Sequence, residues 1–284
     1  MLRLLPFLIS ALTGTDTLLV SPAWLSAHLG QPGTVVIHAD RDRAAFDAGH
    51  IPGSRFLSLS SIVIERDGIP NELPPVAALD SVFETLGIGG ESRVVITGDA
   101  LAAGRLFFTL DYLGHGGRAA LLDGGTPAWV AAGFPVESVE TVADGAPFTP
   151  LPKAGVVVDA AWVQAHLHDS TIALLDARPA ADYAGTPGSA PPTGHIPGAR
   201  NLFWKSTMGG TPPVLLDRAT LEGMFFEAGA APGKLVVTYC KTGVQASFLY
   251  FVARYLGYDV RMYDGSFSEW SRIPGAPIEQ GAGK

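Results

Sequence analysis

Short apolar runs alternate with longer segments of helical periodicity along most of the chain. The runs TVVIHAD, RVVITG, IALLDAR and KLVVTY are rich in valine, isoleucine and leucine, which is typical of strands buried in a parallel sheet. Between such runs lie segments such as QASFLYFVARYLG, in which Phe248, Phe251 or Val252, and Tyr255 recur at helical spacing. The alternation predicts an α/β fold with a mainly parallel sheet and helices on both faces.

Four sequence motifs occur twice along the chain, in the same order and about half a chain length apart. The offset between the two copies of a motif lies between 141 and 145 residues. Ordered repetition of this kind indicates tandem copies of one domain. The paired segments are GHIPGSRFLSL (49–59) and GHIPGARNLFW (194–204), DYLG (111–114) and RYLG (254–257), LLDGGTPAW (121–129) and MYDGSFSEW (262–270), and FPVE (134–137) and APIE (276–279).

The repetition divides the chain into two duplicated domains of similar size. We expect the first domain at residues 16–140 and the second at 156–280. Residues 141–155 are rich in proline, alanine, glycine and threonine and lack hydrophobic periodicity, so they are predicted to form the linker. A chain of 284 residues that is 47% hydrophobic is long enough to bury a sizeable core.

Charge and cysteine content narrow the classes of function. Nineteen basic and 27 acidic residues give a net charge of −8, which argues against a broad nucleic-acid surface. A single cysteine cannot form an intramolecular disulfide, so there is no disulfide framework that would indicate an oxidising compartment. The apolar stretch within residues 1–14 is too short to span a bilayer. It is either a weak secretory signal or a segment packed on the first domain, so cytoplasmic and exported locations both stay open.

The single cysteine, Cys240, lies in VVTYCKTGVQAS, directly after an apolar run and before a predicted helix. In parallel sheets, ligands bind at the carboxyl ends of strands, where loops lead into helix N-termini. Backbone N–H groups in the first helical turn lack internal partners and carry partial positive charge, which stabilises a thiolate. We therefore expect the pKa of Cys240 to lie well below that of a free thiol, with Gly243 curling the loop and Lys241 adding charge. The alternative is a buried structural cysteine.

These features together resemble the two-domain rhodaneses, a family that includes thiosulfate and 3-mercaptopyruvate sulfurtransferases. The resemblance extends from about Leu18 to Glu279 and rests on GHIPG in both halves, LLDAR in the second half, and CKTGVQ before a helix. It implies a catalytically silent first domain, whose equivalent stretch VVITGD presents Gly98 and Asp99 in place of a thiol. It also implies that Cys240 takes sulfur from a donor, becomes a persulfide, and passes the sulfur to a nucleophile such as cyanide or a thiol.

The resemblance also assigns roles to the neighbours of the cysteine. Arg178 is a candidate donor contact near the loop, for which a structural salt bridge with Asp176 or a role at the domain interface is the alternative. It requires no metal and no organic cofactor, and its expected partners are a small anionic sulfur donor and a thiophilic acceptor, with a monomer as the expected oligomeric state. The loop residues expected to hold the persulfide with their amides and to face the donor are Lys241, Thr242, Gly243, Val244 and Gln245.

Two sulfur donors stay open. In thiosulfate enzymes of this family the two positions after the cysteine are typically basic, and in mercaptopyruvate enzymes they are small; here they are Lys241 and Thr242. Mercaptopyruvate enzymes also hold the substrate with two arginines, which pair well with carboxylates. One of those positions is Asp182 here, and the stretch GTPGSAPPTGH, where the other should lie, has no arginine. We therefore expect thiosulfate in preference to 3-mercaptopyruvate.

Two other classes of function use a similar loop. Phosphatases of a related fold need an arginine at the sixth position after the cysteine, but that position is Ala246, and the next arginine is Arg254. A non-enzymatic sulfur-binding or interaction module is the other alternative, and the presence of Cys240 in a suitable loop argues against it. A transferase is therefore the favoured class.

Overall fold

Two five-stranded parallel sheets, one in each half of the chain, form the centre of the computed structural model, which describes residues 18–189 and 193–282. The strands of the first half are β1 (Leu19–Val20), β2 (Thr34–Asp40), β3 (Arg55–Ser58), β4 (Ile64–Arg66), β5 (Ile69–Glu72), β6 (Arg93–Gly98) and β7 (Ala119–Leu122). Those of the second half are β8 (Val157–Val158), β9 (Ile172–Asp176), β10 (Arg200–Asn201), β11 (Met208–Gly209), β12 (Val214–Leu215), β13 (Leu235–Tyr239) and β14 (Val260–Tyr263).

The two sheets have the same topology. The first has the strand order β1-β7-β6-β2-β3, and the second has the order β8-β14-β13-β9-β10, with every pairing parallel. Central strands such as β6 and β13 are almost wholly buried, as their apolar sequences predict. The predicted α/β fold with duplicated, mainly parallel sheets is confirmed.

Ten α-helices connect these strands within the described part of the chain. Several begin at an aspartate or serine whose side chain accepts backbone N–H groups of the first turn, and Asp99 does so at the start of the fourth helix. Within residues 18–189 and 193–282, none of the helices is both long and apolar enough to cross a membrane. The helices are α1 (Pro22–His28), α2 (Ala44–Ala48), α3 (Val76–Thr85), α4 (Ala100–Tyr112), α5 (Gly125–Ala131), α6 (Ala160–Ala165), α7 (Ala180–Ala184), α8 (Arg218–Glu227), α9 (Val244–Leu256) and α10 (Ser266–Trp270).

Helices α4 and α9 pack against each other and join the two domains through one continuous core. Phe107 meets Phe251 edge to face, and Phe108 meets Tyr250 in the same way, each pair with ring centroids 5.0 Å apart. Phe107 and Phe108 correspond to Tyr250 and Phe251 at an offset of 143 residues, which is also the offset between the DYLG and RYLG motifs. Exchanging the two domains therefore converts one aromatic pair into the other. The two domains are therefore related by approximate twofold symmetry at this contact.

Each domain also extends an antiparallel hairpin across the other. After the hairpin β4–β5, the backbone N–H of Leu73 donates to Asp264 of the second domain at 2.8 Å. In β12, the second strand of the hairpin β11–β12, the backbone N–H of Leu215 donates to Asp123 of the first domain at 2.9 Å. These reciprocal contacts cover the carboxyl end of each sheet with residues from the opposite domain.

The predicted linker lies within the described residues, whereas the predicted leading segment lies outside them. Residues 141–155 run without helix or strand along the first domain, and Phe148 packs edge-on against Phe83 with ring centroids 5.3 Å apart. The signal-like stretch at residues 1–14 lies outside the described residues. The boundaries at 16–140 and 156–280 stay our proposal for the two domains.

The histidines of the two GHIPG motifs fix the turns that follow α2 and α7. His50 Nδ1 lies 2.8 Å from the carbonyl oxygen of Phe46, and His195 Nδ1 lies 2.9 Å from that of Tyr183. Both imidazoles are buried, and each stacks on the aromatic ring of the residue whose carbonyl it contacts. The two imidazoles therefore tie the turns to the helices α2 and α7 that precede them.

Candidate active site

Cys240 is the first residue after β13, which lies between β9 and β14 in the second sheet. The chain then turns through three residues, and Gly243, with a left-handed φ of 83°, precedes the first helical residue, Val244. A left-handed conformation is favourable for glycine and costly for residues with a β-carbon. The cysteine therefore lies at the carboxyl end of a central parallel strand and at the N-terminus of α9, where parallel sheets place their binding sites.

Three backbone N–H groups point at the sulfur of Cys240, those of Ala246, Thr242 and Gln245. The side chain is only 1% exposed, and this burial raises the pKa of the thiol above its ordinary value. The three N–H groups oppose that rise, and the carboxylate of Asp176 adds to it. The prediction of a lowered thiol pKa is therefore wrong, because the desolvation of the sulfur outweighs the amides that the sequence pattern revealed.

Residues of the first domain supply much of the cover over this loop. The amide nitrogen of Asn71 donates to the hydroxyl of Thr242 at 3.0 Å. A β-carbon on Gly243 would lie 2.8 Å from Asp264 Oδ1 and 3.2 Å from a guanidinium nitrogen of Arg105. The loop is therefore pressed between its own domain and the cysteine-free domain, and the cysteine-free domain contributes structure to the site.

A buried ion pair between Arg105 and Asp264 lies directly behind the loop. Arg105 projects from α4 of the first domain, is fully buried, and donates to both carboxylate oxygens of Asp264 at 2.6 and 3.3 Å. It also donates to the carbonyl oxygen of Asn71 at 2.7 Å. The sequence interpretation missed this pair, although a lone arginine within the apolar helix AAGRLFFTL was a signal that some buried acid would meet it.

The segment after β14 supports the cysteine from the other side. Ser266 Oγ accepts the backbone N–H of Cys240 at 3.2 Å and donates to the carbonyl oxygen of Tyr263 at 2.9 Å. Ser266 has a φ of 54°, a left-handed conformation that costs a non-glycine residue about 1–3 kcal/mol. The backbone N–H of Phe267 donates to the cysteine carbonyl at 3.0 Å. This strained turn, also missed, lies in MYDGSFSEW, the second copy of a repeated motif, and it fixes the direction of the loop.

The other predicted loop residues differ in their exposure. Lys241 is exposed, Thr242 and Gln245 are partly buried, and Gly243 and Val244 are buried. Lys241 therefore places its positive charge at the outer surface of the loop, next to the buried sulfur. Of these five residues, Thr242 and Gln245 donate a backbone N–H to the sulfur.

Arg178 lies near the loop but its guanidinium is engaged elsewhere. Its Nε donates to both carboxylate oxygens of Asp176 at 2.9 and 3.0 Å, and Nη2 donates to the carbonyl oxygen of Gly194 at 2.7 Å. The guanidinium carbon also lies 4.4 Å from the centre of the Phe267 ring, within reach of a cation–π contact. These contacts favour the structural salt bridge, and a contact between Arg178 and a sulfur donor stays a prediction.

The equivalent loop of the first domain could not carry a cysteine even if the residue were restored. Gly98 follows β6 with a φ of 103°, and a β-carbon there would clash with the carbonyl oxygen of Ala39. The loop is also shorter, because α4 begins two residues after Gly98 whereas α9 begins four residues after Cys240. The first domain therefore lacks both the thiol and the backbone geometry that would hold it.

We expect Gly98→Cys not to create a second reactive sulfur. In a Cys240→Ser background the variant should accept no sulfur from thiosulfate, as measured by mass spectrometry.

Gly98→Ala should lower the free energy of unfolding by at least about 1–3 kcal/mol because of backbone strain, as measured in urea. Gly90→Ala is the matched control, since Gly90 has open space and no left-handed φ. Equal stability of the two alanine variants would contradict this account.

Comparison with known proteins agrees with this geometry. The rhodanese-like domain model matches residues 21–132 and 159–273. A thiosulfate sulfurtransferase from Pseudomonas aeruginosa is 34% identical over 266 residues, which cover 92% of this chain and 97% of that protein. A probable 3-mercaptopyruvate sulfurtransferase from the same organism is 32% identical, covering 93% of this chain and 98% of that protein.

Two further proteins extend the comparison. The sulfur carrier protein TtuD from Thermus thermophilus is 30% identical and covers 93% of this chain and 96% of that protein. Among solved structures, wild-type EanB is similar in fold, with a TM-score of 0.84 at 24% identity, covering 94% of this chain and 70% of that chain. Because the family model matches both halves and most of the chain, the protein belongs to the rhodanese-like domain family and contains two such domains in tandem.

Proposed function

We propose that the protein is a sulfurtransferase in which Cys240 accepts a sulfur atom from thiosulfate and passes it to cyanide or to a thiol. The observation that carries this proposal is the group of three backbone N–H donors, from Thr242, Gln245 and Ala246, that converge on the cysteine sulfur. Such preorganised donors stabilise negative charge on a reacting atom without reorganisation during the reaction. The names of the thiosulfate and 3-mercaptopyruvate sulfurtransferases that the chain resembles support the same class.

The proposed reaction has two displacement steps. The Cys240 thiolate attacks the outer sulfur of thiosulfate, a sulfur–sulfur bond forms, and sulfite leaves with the electron pair of the broken bond. Cyanide or a thiolate then attacks the outer sulfur of the persulfide, which gives thiocyanate or a new persulfide and returns the cysteine thiolate. The N–H groups of the loop stabilise the anionic sulfur before the first step and after the second.

Entry of a donor requires part of the cover over the sulfur to move, because only 1% of Cys240 is exposed. We assign this movement to the contact between Asn71 and Thr242, a single hydrogen bond between neutral groups. Such a bond contributes only about 0.5–1.5 kcal/mol. The charged contact of Arg105 with Asp264 behind the loop is stronger and would stay in place during entry.

Thiosulfate is the donor that the loop favours. The exposed Lys241 supplies positive charge beside the sulfur, which suits a dianion, and Asp182 is exposed on α7, where mercaptopyruvate enzymes are expected to have an arginine. We expect kcat/KM for thiosulfate to exceed that for 3-mercaptopyruvate by about tenfold or more, which is about 1.4 kcal/mol in transition-state binding. Steady-state rates of the two donors with cyanide as the acceptor test this.

A lysine variant sharpens the donor test. Lys241→Gln should lower kcat/KM for thiosulfate, a dianion, by about tenfold and lower that for 3-mercaptopyruvate, a monoanion, by less. Lys205→Gln is the matched control because Lys205 is an exposed lysine on the second domain outside the loop. A preference of about tenfold or more for 3-mercaptopyruvate would overturn the choice of donor and leave the sulfurtransferase class intact.

The raised pKa of Cys240 predicts how the first step depends on pH. A thiol is the protonated form, so a raised pKa leaves most of the protein in the unreactive form near neutral pH. We expect the rate of sulfur transfer from thiosulfate, measured in single turnovers, to rise about tenfold per pH unit from about pH 6 to above the ordinary thiol pKa. A rate that is already constant across this interval would mean that the thiolate is the resting form.

A sulfur carrier that does not turn over is the second candidate function. The burial of Cys240 favours it, because a covered persulfide is protected from small nucleophiles, and the resemblance to the sulfur carrier protein TtuD fits it. Repeated formation of thiocyanate from thiosulfate and cyanide distinguishes an enzyme from such a carrier. Formation of the Cys240 persulfide from thiosulfate with no release of thiocyanate by cyanide would favour the carrier.

A further inference from the structure

A cavity of about 310 Å³ lies in the first domain at the place that corresponds to the cysteine loop of the second. Its floor is the short loop at Gly98 and Asp99, and its opposite wall comes from the second domain. We propose that this cavity binds a small organic cation, with a guanidinium, amidinium or ammonium group on a flat apolar body. The proposal concerns a second site and does not depend on sulfur transfer at Cys240.

Internal symmetry identifies the group that would hold the cation. Asp123 lines the cavity and corresponds to Asp264 at the cysteine loop. Asp123 directly follows β7 and Asp264 directly follows β14, and these two strands occupy the same place in their sheets. Both carboxylates accept a backbone N–H from the opposite domain, that of Leu215 for Asp123 and that of Leu73 for Asp264. The difference is that Asp264 also binds the guanidinium of Arg105.

The arginine has no counterpart at the cavity. The offset of 143 residues that relates α4 to α9 places Phe248 where Arg105 would be, and Phe248 lines the cavity wall. The groups that hydrogen-bond to the Asp123 carboxylate are the backbone N–H groups of Leu215 and Gly124, which are neutral. Burial raises the pKa of Asp123, as expected for a carboxylate that is partly removed from water without a cation. A cationic ligand would supply the charge that Arg105 supplies at the other site.

The remaining walls select the rest of the ligand. Trp204 and Phe248 meet edge to face with ring centroids 5.4 Å apart, and aromatic rings attract cations as well as apolar groups. A volume of about 310 Å³ is at the small end of ligand sites, which suits a molecule with a single ring. The apolar and aromatic residues of the wall include Leu19, Ala103, Trp204, Met208, Phe248 and Phe251.

The charged residues of the wall argue against an anion. The carboxylate of Asp99 accepts the N–H groups of Leu101 and Ala102, so the N-terminus of α4 already has an anionic cap. Lys205, the basic residue of the lining, is exposed. The two carboxylates, Asp99 and Asp123, therefore dominate the interior and favour a positively charged ligand.

Three probes of the same shape test the charge that the cavity prefers. Benzamidine carries an amidinium group on a phenyl ring, benzamide is its neutral counterpart, and benzoate is the anion. With the full-length protein, titration calorimetry should show one benzamidine site with an affinity at least about tenfold higher than for benzamide, and no binding of benzoate. Equal binding of benzamidine and benzamide, or no binding of either, would overturn the proposal.

Two variants locate the binding. Asp123→Asn should reduce the affinity for benzamidine to that for benzamide, and Asp259→Asn, at an exposed aspartate, should leave it unchanged. Ala103→Leu should block both probes by filling the cavity without removing charge, which keeps the test valid if Asp123→Asn impairs folding. Unchanged benzamidine affinity in Asp123→Asn or in a folded Ala103→Leu protein would contradict the site. Because the readout is binding, these outcomes are independent of any result on sulfur transfer.

Discussion

Cys240→Ser is expected to lower kcat/KM for sulfur transfer from thiosulfate to cyanide by at least about 1,000-fold. A hydroxyl is a far weaker nucleophile than a thiolate and cannot form a persulfide, so the first displacement step has no substitute in this chain of one cysteine. The measurement is the steady-state formation of thiocyanate at matched protein concentrations. Because serine is close to cysteine in size, the buried loop should keep its conformation.

The stability of the same variant is its control. The free energy of unfolding of Cys240→Ser should differ from that of the natural chain by no more than the change expected for one buried sulfur-to-oxygen replacement, about 1–3 kcal/mol. A folded variant that retained a rate within about tenfold of the natural chain would show that the sulfur is structural.

Arg105→Met is expected to destabilise the protein by about 3–5 kcal/mol and to impair sulfur transfer. Removal of the arginine leaves the carboxylate of Asp264, which lies beside Gly243, buried without a cation. Breaking a buried ion pair by removing one partner is strongly destabilising because the remaining charge stays buried and unpaired. Unfolding in urea measures the stability, and single-turnover transfer from thiosulfate measures the effect on the loop. The loss of rate should be reported at a temperature where the variant is folded.

Two comparisons show that the effect belongs to the buried pair. Arg118→Met removes an arginine that pairs with Glu91 at the surface, and exposed pairs of this kind contribute about 0–1 kcal/mol. Addition of Asp264→Leu to Arg105→Met should restore part of the stability, because the unpaired charge is then gone. If Arg105→Met cost no more than Arg118→Met and left the rate unchanged, the ion pair of Arg105 with Asp264 would have no part in holding the loop.

The fold was predictable because its signals are local. Runs such as KLVVTY and RVVITG are apolar over the length of a strand, and they form β13 and β6. The segment QASFLYFVARYLG, which has helical periodicity, forms nearly all of α9. Because the motifs recur in the same order, the second sheet was expected to have the same topology as the first. Two-residue strands such as β1 and β8 gave no comparable signal, since so short a strand forms only when its neighbour is already in place.

The site was predictable only in part. The position of Cys240 between a strand and a helix follows from adjacent residues, and so do the amides of the loop. The ion pair of Arg105 with Asp264 joins residues 159 positions apart, and it arises only from the docking of α4 against the second domain. The burial of the sulfur in the core that both domains share reverses the expected direction of its pKa shift. Contacts between domains are thus the part of this site that the sequence pattern could not supply.

The most direct test is the mass of the protein after one equivalent of thiosulfate, followed by cyanide. The account predicts one added sulfur atom on the peptide that contains Cys240, and its complete loss to cyanide with the formation of an equal amount of thiocyanate. An unmodified Cys240 peptide after incubation with thiosulfate at a pH above the thiol pKa would contradict the account.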